Sequence, residues 1–166
     1  MEVMFGNQAV RLKGNTKNVG DKVEDFTVIN NDLKDVKLSD FKDVPYLLIS
    51  AVPSLDTGTC DYQTKTFNKA LNDMKHIKVL TISNDLPFAQ KRWCGNVDLK
   101  DVITLSDHRD LSFAHTFGTL IEAFRLQARA VFILDQERKV IYSEYVQNVS
   151  EHPSYDKIIK KVETLK

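Results

Sequence analysis

With 166 residues, 42% of them hydrophobic and 28% charged, the chain suits one domain over residues 1–166 and is too apolar to be disordered. Lys plus Arg and Asp plus Glu both number 23, so nothing in the net charge calls for nucleic acid or an anionic membrane as a partner. No apolar run approaches the roughly 20 residues of a membrane span, and Met1 to Arg11 lacks the pattern of a secretory signal, so a cytoplasmic location is the expectation.

Glu2 to Leu12 predicts a small hairpin, Val3-Met4-Phe5 and Ala9-Val10-Arg11-Leu12 on either side of Gly6-Asn7. Phe26 to Ile29 reads as a short strand with Val36-Lys37-Leu38 as its hairpin arm. Tyr46 to Val52 is the apolar run of a buried strand, and beyond residue 60 the side chains Phe67, Ala70, Leu71 and Met74 share one helical face. Ile77 to Ser83 is the next strand, so strand, helix and strand form a parallel crossover unit. Pro87 suits a first helical turn, and Phe88 to Cys94 predicts a short helix ended by Gly95. Val102 to Leu105 predicts a strand, and Leu111 to Phe117 a helix that stops at Gly118. Ala130 to Leu134 and Val140 to Val146 are adjacent strands joined by a tight turn, and Pro153 to Leu165 is an amphipathic helix. The order predicts an α/β fold: a central mixed β-sheet flanked by helices, with an N-terminal β-hairpin.

The two cysteines, Cys60 and Cys94, are too few and too distant for a zinc site, and the four histidines lack ligand spacing. No metal or other cofactor is expected. Cys60 closes the string Pro53-Ser54-Leu55-Asp56-Thr57-Gly58-Thr59-Cys60 between a buried strand and a helix. In a first helical turn, unpaired N–H groups and the helix dipole favour negative charge, which biases sulfur toward the reactive thiolate. A free cysteine at such a place is equally read as a small buried hydrophobe. Asp56 and Asp61 flank it: they suit a helix N-terminus, yet their charge opposes a thiolate. Thr57 stands where a Cys-x-x-Cys motif would need its first sulfur, which excludes dithiol exchange within one turn.

Pro53-x-x-x-Thr57-x-x-Cys60 resembles the active-site signature of the peroxiredoxins, which are built on the thioredoxin-like fold. The longer string to Thr64 resembles the thiol peroxidase branch, of the atypical 2-Cys type. Three further strings match it in order: Leu86 to Cys94, Leu105 to Asp110, and Ala128-Arg129-Ala130-Val131-Phe132. Two positions depart from the usual pattern, Thr59 where Val is common and Glu24 where a proline often precedes Asp-Phe. The resemblance implies that Cys60 is the peroxidatic cysteine and passes through a sulfenic acid. It implies a hydroxyl from Thr57 at sulfur and peroxide, a cation from Arg129 on the thiolate and the departing oxygen, and a lid from Pro53. Cys94 becomes the resolving cysteine, closing an intrachain disulfide that thioredoxin reduces. Hydrogen peroxide and alkyl or lipid hydroperoxides are the implied substrates, and a homodimer the implied assembly.

Each residue has a plainer role beside this one. Thr57 also suits a helix N-cap, Pro53 a strand end, and Arg129 a surface ion pair, with Arg125 as its rival. Phe88, Trp93, Phe113, Phe117 and Phe124 fit either an apolar mouth or core packing. Asp107-His108-Arg109-Asp110 reads as a structural charged loop. A peroxide-sensing regulatory module, or a structural domain with incidental cysteines, would carry the same two sulfurs. Cys60 and Cys94 fall in separate predicted helices flanking the Ile77–Ser83 strand, and a disulfide needs Cα atoms within about 7 Å. The reduced sulfurs are therefore expected to lie apart, and the Cys94 helix, with or without the first turn around Cys60, to unwind before they can meet.

Overall fold

The computed structural model describes residues 1–165, so Lys166, the end of the expected single domain, lies outside the described residues. The apolar runs become the inner strands of a mixed sheet. Among the described residues this sheet has seven strands in the order β11-β10-β5-β6-β7-β3-β4. They are β3 (Thr27–Ile29), β4 (Asp35–Lys37), β5 (Tyr46–Ala51), β6 (Ile77–Ser83), β7 (Ile103–Ser106), β10 (Ala130–Leu134) and β11 (Val140–Tyr145). Strands β5, β6 and β7 are parallel, and β10 pairs antiparallel with both β5 and β11. The crossover between β5 and β6 is helix α1 (Gly58–Leu71), as the spacing predicts.

Side chains alternate across the strands and divide the core into two layers. On one face Leu48, Val79, Val131 and Ile133 meet Phe67 and Leu71 of α1 and Ile158 and Val162 of α4 (Tyr155–Glu163). On the other, Ile49, Leu80, Ile82 and Phe132 meet Phe113 and Phe117 of α3 (Ser112–Phe117). Helix α2 (Pro87–Asn96) covers β7 on the face that α1 occupies. None of the helices among the described residues is long and apolar enough to cross a membrane.

The expected hairpin forms as β1 (Glu2–Phe5) and β2 (Gln8–Lys13), but it is half of a further sheet. Two strands that the apolar pattern does not reveal, β8 (Leu120–Ile121) and β9 (Leu126–Gln127), complete that four-stranded sheet in the order β1-β2-β8-β9. At two residues each they are too short to show an alternating pattern. Val3, Val10, Leu12 and Ile121 bury Ala128 and Val149 beneath it, which fixes the chain on both sides of Arg129. Helix α2 also differs from expectation. It runs through Gly95, so that glycine is an exposed residue of its last turn rather than its stop.

Candidate active site

Cys60 is the third residue of α1 and is fully buried. Thr57 is the helix N-cap, with extended backbone; its Oγ1 accepts from the Cys60 N–H at 3.3 Å and donates to the Ser54 carbonyl at 3.3 Å. The turn before it is held from below. Asp85, just past β6, accepts from Ser54 Oγ at 2.7 Å and from the Leu55 N–H at 2.8 Å. Ser83 Oγ donates to the same carboxylate at 2.7 Å. The loop between strand and nucleophile is thus pinned to the neighbouring strand.

Arg129, at the start of β10, brings the cation. It is 2% exposed and all three of its hydrogen bonds go inward. Nη2 donates to Cys60 Sγ at 3.3 Å, Nη1 to Gln63 Oε1 at 2.9 Å, and Nε to the Val149 carbonyl at 2.8 Å. Gln63, one turn along α1 from Cys60, donates in turn to Ser50 Oγ on β5 at 2.7 Å. The guanidinium is therefore oriented by an amide that is itself fixed to the sheet. Among the described residues no carboxylate pairs with Arg129. A buried cation without an anion is expensive, and of the three acceptors it bonds only the Cys60 sulfur can carry negative charge.

Neither flanking acid is bonded to the sulfur among the described residues. Asp61 turns toward α2, accepting from Trp93 Nε1 at 2.9 Å and pairing with Lys65 at 2.9 Å, while Asp56 is exposed. The Trp93 ring packs against Val52, Leu55 and Cys60. Cys94, the next residue, is half-buried and faces the other way, with its Sγ 3.3 Å from Thr104 Oγ1 on β7. Both cysteines are free, and each sulfur has its own partner. Beneath α2 the sheet is polar: Thr81, Ser83, Thr104 and Ser106 replace the aliphatic residues found under α1. Gln90 reaches this floor, donating to Ser83 Oγ at 2.9 Å and to the Leu105 carbonyl at 3.0 Å.

The sequence pattern of the Redoxin family matches residues 18–159. The thiol peroxidase of Bacillus subtilis (strain 168) is 47% identical over 164 residues, covering 99% of this chain and 98% of that protein. That of Staphylococcus aureus (strain MRSA252) is 52% identical over 155 residues, or 93% of each. The chain belongs to the thiol peroxidases of the redoxin family. A solved structure titled as a peroxiredoxin-like protein from Aquifex aeolicus superposes with a TM-score of 0.90 at 38% identity, covering 98% of this chain and 95% of that one. The thioredoxin-like fold follows from both comparisons.

In this redoxin a shallow depression of about 170 Å³ beside the Cys60 turn is bounded by Phe5, Pro53, Thr57, Val149 and Arg129, the residue that bonds the Cys60 sulfur. Pro53 is buried at its wall, and Phe5 comes from the N-terminal hairpin. A larger hollow of about 430 Å³ between Asn72 and Ile103 is lined by neither cysteine. Of the aromatic residues considered for the mouth, Phe113 and Phe117 instead stack at 4.6 Å in the core on the opposite face. Phe124 packs on Phe5, and Phe88 is open to solvent. Arg125 is exposed in the β8–β9 turn, so it does not compete with Arg129.

Asp107 has a structural role. Its buried carboxylate accepts from the Phe113 and Ala114 N–H groups at the start of α3 and from Gln127 Nε2. Among the described residues no metal-holding cluster occurs. His152, however, joins the edge of the site: its Nδ1 is 2.7 Å from the Tyr155 hydroxyl. Burial pushes the Tyr155 phenol up, the Arg129 charge pulls it down, and Tyr62 and Cys60 push it up again. Gln63 and Asp85 are the positioning groups that sequence reasoning missed. Gln63 lies inside the matched string but looks like any polar helix residue, and Asp85 acts on a loop 30 residues away.

Proposed function

We propose that the protein is a cofactor-free thiol peroxidase in which Cys60 is the peroxidatic and Cys94 the resolving cysteine. The Cys60 thiolate attacks one peroxide oxygen; a sulfur–oxygen bond forms as the O–O bond breaks. The leaving oxygen takes a proton and departs as alcohol, or as water from hydrogen peroxide, and Cys60 becomes a sulfenic acid. Arg129 stabilises negative charge on the sulfur before the step and on the departing oxygen during it. Thr57 orients the peroxide through its hydroxyl, and Pro53 keeps water from the sulfur. The observation that carries this reading is the buried guanidinium, without a carboxylate partner among the described residues, 3.3 Å from a buried sulfur at a helix N-terminus.

Cys94 then attacks the sulfenic sulfur and the oxygen leaves as water, closing an intrachain disulfide. A dithiol reductant, thioredoxin, returns both cysteines to thiols by exchange. Phe5 and Val149 at the depression suit the alkyl tail of an organic hydroperoxide, while hydrogen peroxide needs only the polar groups of Thr57 and Arg129. A cytoplasmic location completes the reading, and the family resemblance adds a homodimer.

The test is peroxide consumption with thioredoxin, its reductase and NADPH, over hydrogen peroxide, an aromatic hydroperoxide and a fatty-acid hydroperoxide. Many equivalents should be consumed per protein. Consumption that halts after one equivalent, with the reductant intact, would instead identify a redox sensor.

A further inference from the structure

The two cysteine helices are joined by one charge-assisted hydrogen bond. It runs from the indole N–H of Trp93 in α2 to the carboxylate of Asp61 in α1, the residue after Cys60. The same indole packs on the small apolar cluster of Val52, Leu55 and Cys60, so it sits between the two cysteine helices. Cys94 points away, toward Thr104. For Cys94 to reach Cys60 the backbone at 93–94 must turn, and Trp93 must leave.

Little else holds α2. Its fully buried side chains are Pro87 and Gln90, against six in α1. The surface beneath it is made of Ser and Thr hydroxyls, and the oxygens Thr81 Oγ1 and Gln90 Oε1 have no partner among the described residues. Lifting α2 therefore exposes groups that water solvates readily, with small hydrophobic loss. The indole bond ties α2 directly to α1 through a charged acceptor, whereas the exposed Lys91–Asp32 pair at 3.5 Å adds little to its hold.

We infer that the Trp93–Asp61 contact is a latch that sets how fast Cys94 resolves oxidised Cys60, and hence the peroxide level at which Cys60 is overoxidised. The inference rests on the roles proposed above for the two cysteines. Two reactions compete for the Cys60 sulfenic acid. In one, the Cys94 sulfur forms the S–S bond, the S–O bond breaks, and the oxygen leaves as water with the thiol proton. In the other, a second peroxide transfers an oxygen to the same sulfur, giving sulfinic acid and alcohol or water. The first is unimolecular and gated by the latch; the second depends on peroxide concentration. A tighter latch slows only the first.

The test compares wild-type protein with Trp93→Phe, Asp61→Ala and the double variant, mixed with hydrogen peroxide and quenched in acid with a thiol-trapping reagent. Gel shift reads the disulfide, and mass spectrometry reads sulfinic acid on Cys60. Trp93→Phe keeps the aromatic packing and loses the N–H. Each single variant should form the disulfide about threefold to tenfold faster, the range for one hydrogen bond to a partly exposed charge. The peroxide dose that converts half of Cys60 to sulfinic acid should rise by the same factor. The double variant should match the singles, since both remove one bond. Lys65→Ala leaves the indole bond in place and should not accelerate resolution. Unchanged or slower disulfide formation in both singles, or fully additive effects, would overturn the latch. A wild-type protein that oxidises at Cys60 but forms no Cys60–Cys94 disulfide would instead overturn the underlying reading. In the wild type Trp93 is the sole tryptophan, so its emission should change with disulfide formation and not with the first oxidation.

Discussion

Helices α1 and α2 each carry one cysteine on the same face of the sheet, yet different forces hold them. Helix α1 buries Phe67 and Leu71 in an aliphatic layer, each contributing about 1.5–3 kcal/mol. It is also tied at its first two turns to β5 and β10 through Gln63 and Arg129. Helix α2 buries little carbon and rests on hydroxyls through polar contacts of about 1 kcal/mol each. A nucleophile must be held against its activating charge before substrate arrives, whereas a resolving thiol must travel. The difference in packing follows that division of labour.

Removing either sulfur breaks the comparison most sharply. Cys60→Ser should abolish peroxide consumption, while Cys94→Ser should keep one fast oxidation and lose turnover with thioredoxin, as followed by NADPH oxidation. Equal loss of the first oxidation in both would contradict the assignment of roles. Next in size is Arg129→Met, which removes the charge that α1 is built around. The rate constant of the first oxidation should fall about 10²- to 10³-fold in stopped flow, with much less change in the later closure of the disulfide.

Gln63→Met leaves the cation but frees its orientation, because Arg129 then keeps the Val149 carbonyl and the sulfur as partners. A loss of about tenfold in the first oxidation is expected, the size of one buried hydrogen bond.

The smallest effect on activity belongs to Asp107, which braces α3 against Gln127, two residues before Arg129. Burial pushes its carboxyl up to about 6, against the pull of the Ala114 and Phe113 N–H groups and Gln127. The folded state thus holds a proton that the unfolded state has released. That stabilisation is complete below about pH 4 and is lost as pH rises through about 6, on the order of 2–3 kcal/mol. Urea midpoints across this range should show the slope in wild type, and Asp107→Asn should flatten it while lowering stability, since an amide cannot accept from all three donors.

How much of this could be read from the chain depended on whether a residue acts locally. Pro53, Thr57 and Cys60 lie within eight consecutive residues, so their spacing announced a helix N-terminus with a sulfur in it. Arg129 is 69 positions from Cys60, and only the family resemblance connected them. Gln63 and Asp85 gave no signal, because nothing in an isolated amide or carboxylate tells which tertiary partner it will meet. The main strands were visible as apolar runs of five to seven residues, whereas β8 and β9 owe their pairing to the hairpin they complete. The aromatic residues stayed open for the same reason: Phe113 and Phe117 are as apolar in a mouth as in a core, and the alternation of the strands beneath them decided for the core.

The central claim, that a fixed nucleophile is served by a releasable resolving helix, is tested most directly by amide hydrogen exchange read by mass spectrometry on reduced protein and on protein treated with one equivalent of peroxide. Oxidation should produce a Cys60–Cys94 disulfide, release protection across residues 87–96, and leave residues 63–71 protected. A disulfide that forms while 87–96 keeps its protection, or a release of 63–71 in its place, would contradict the account.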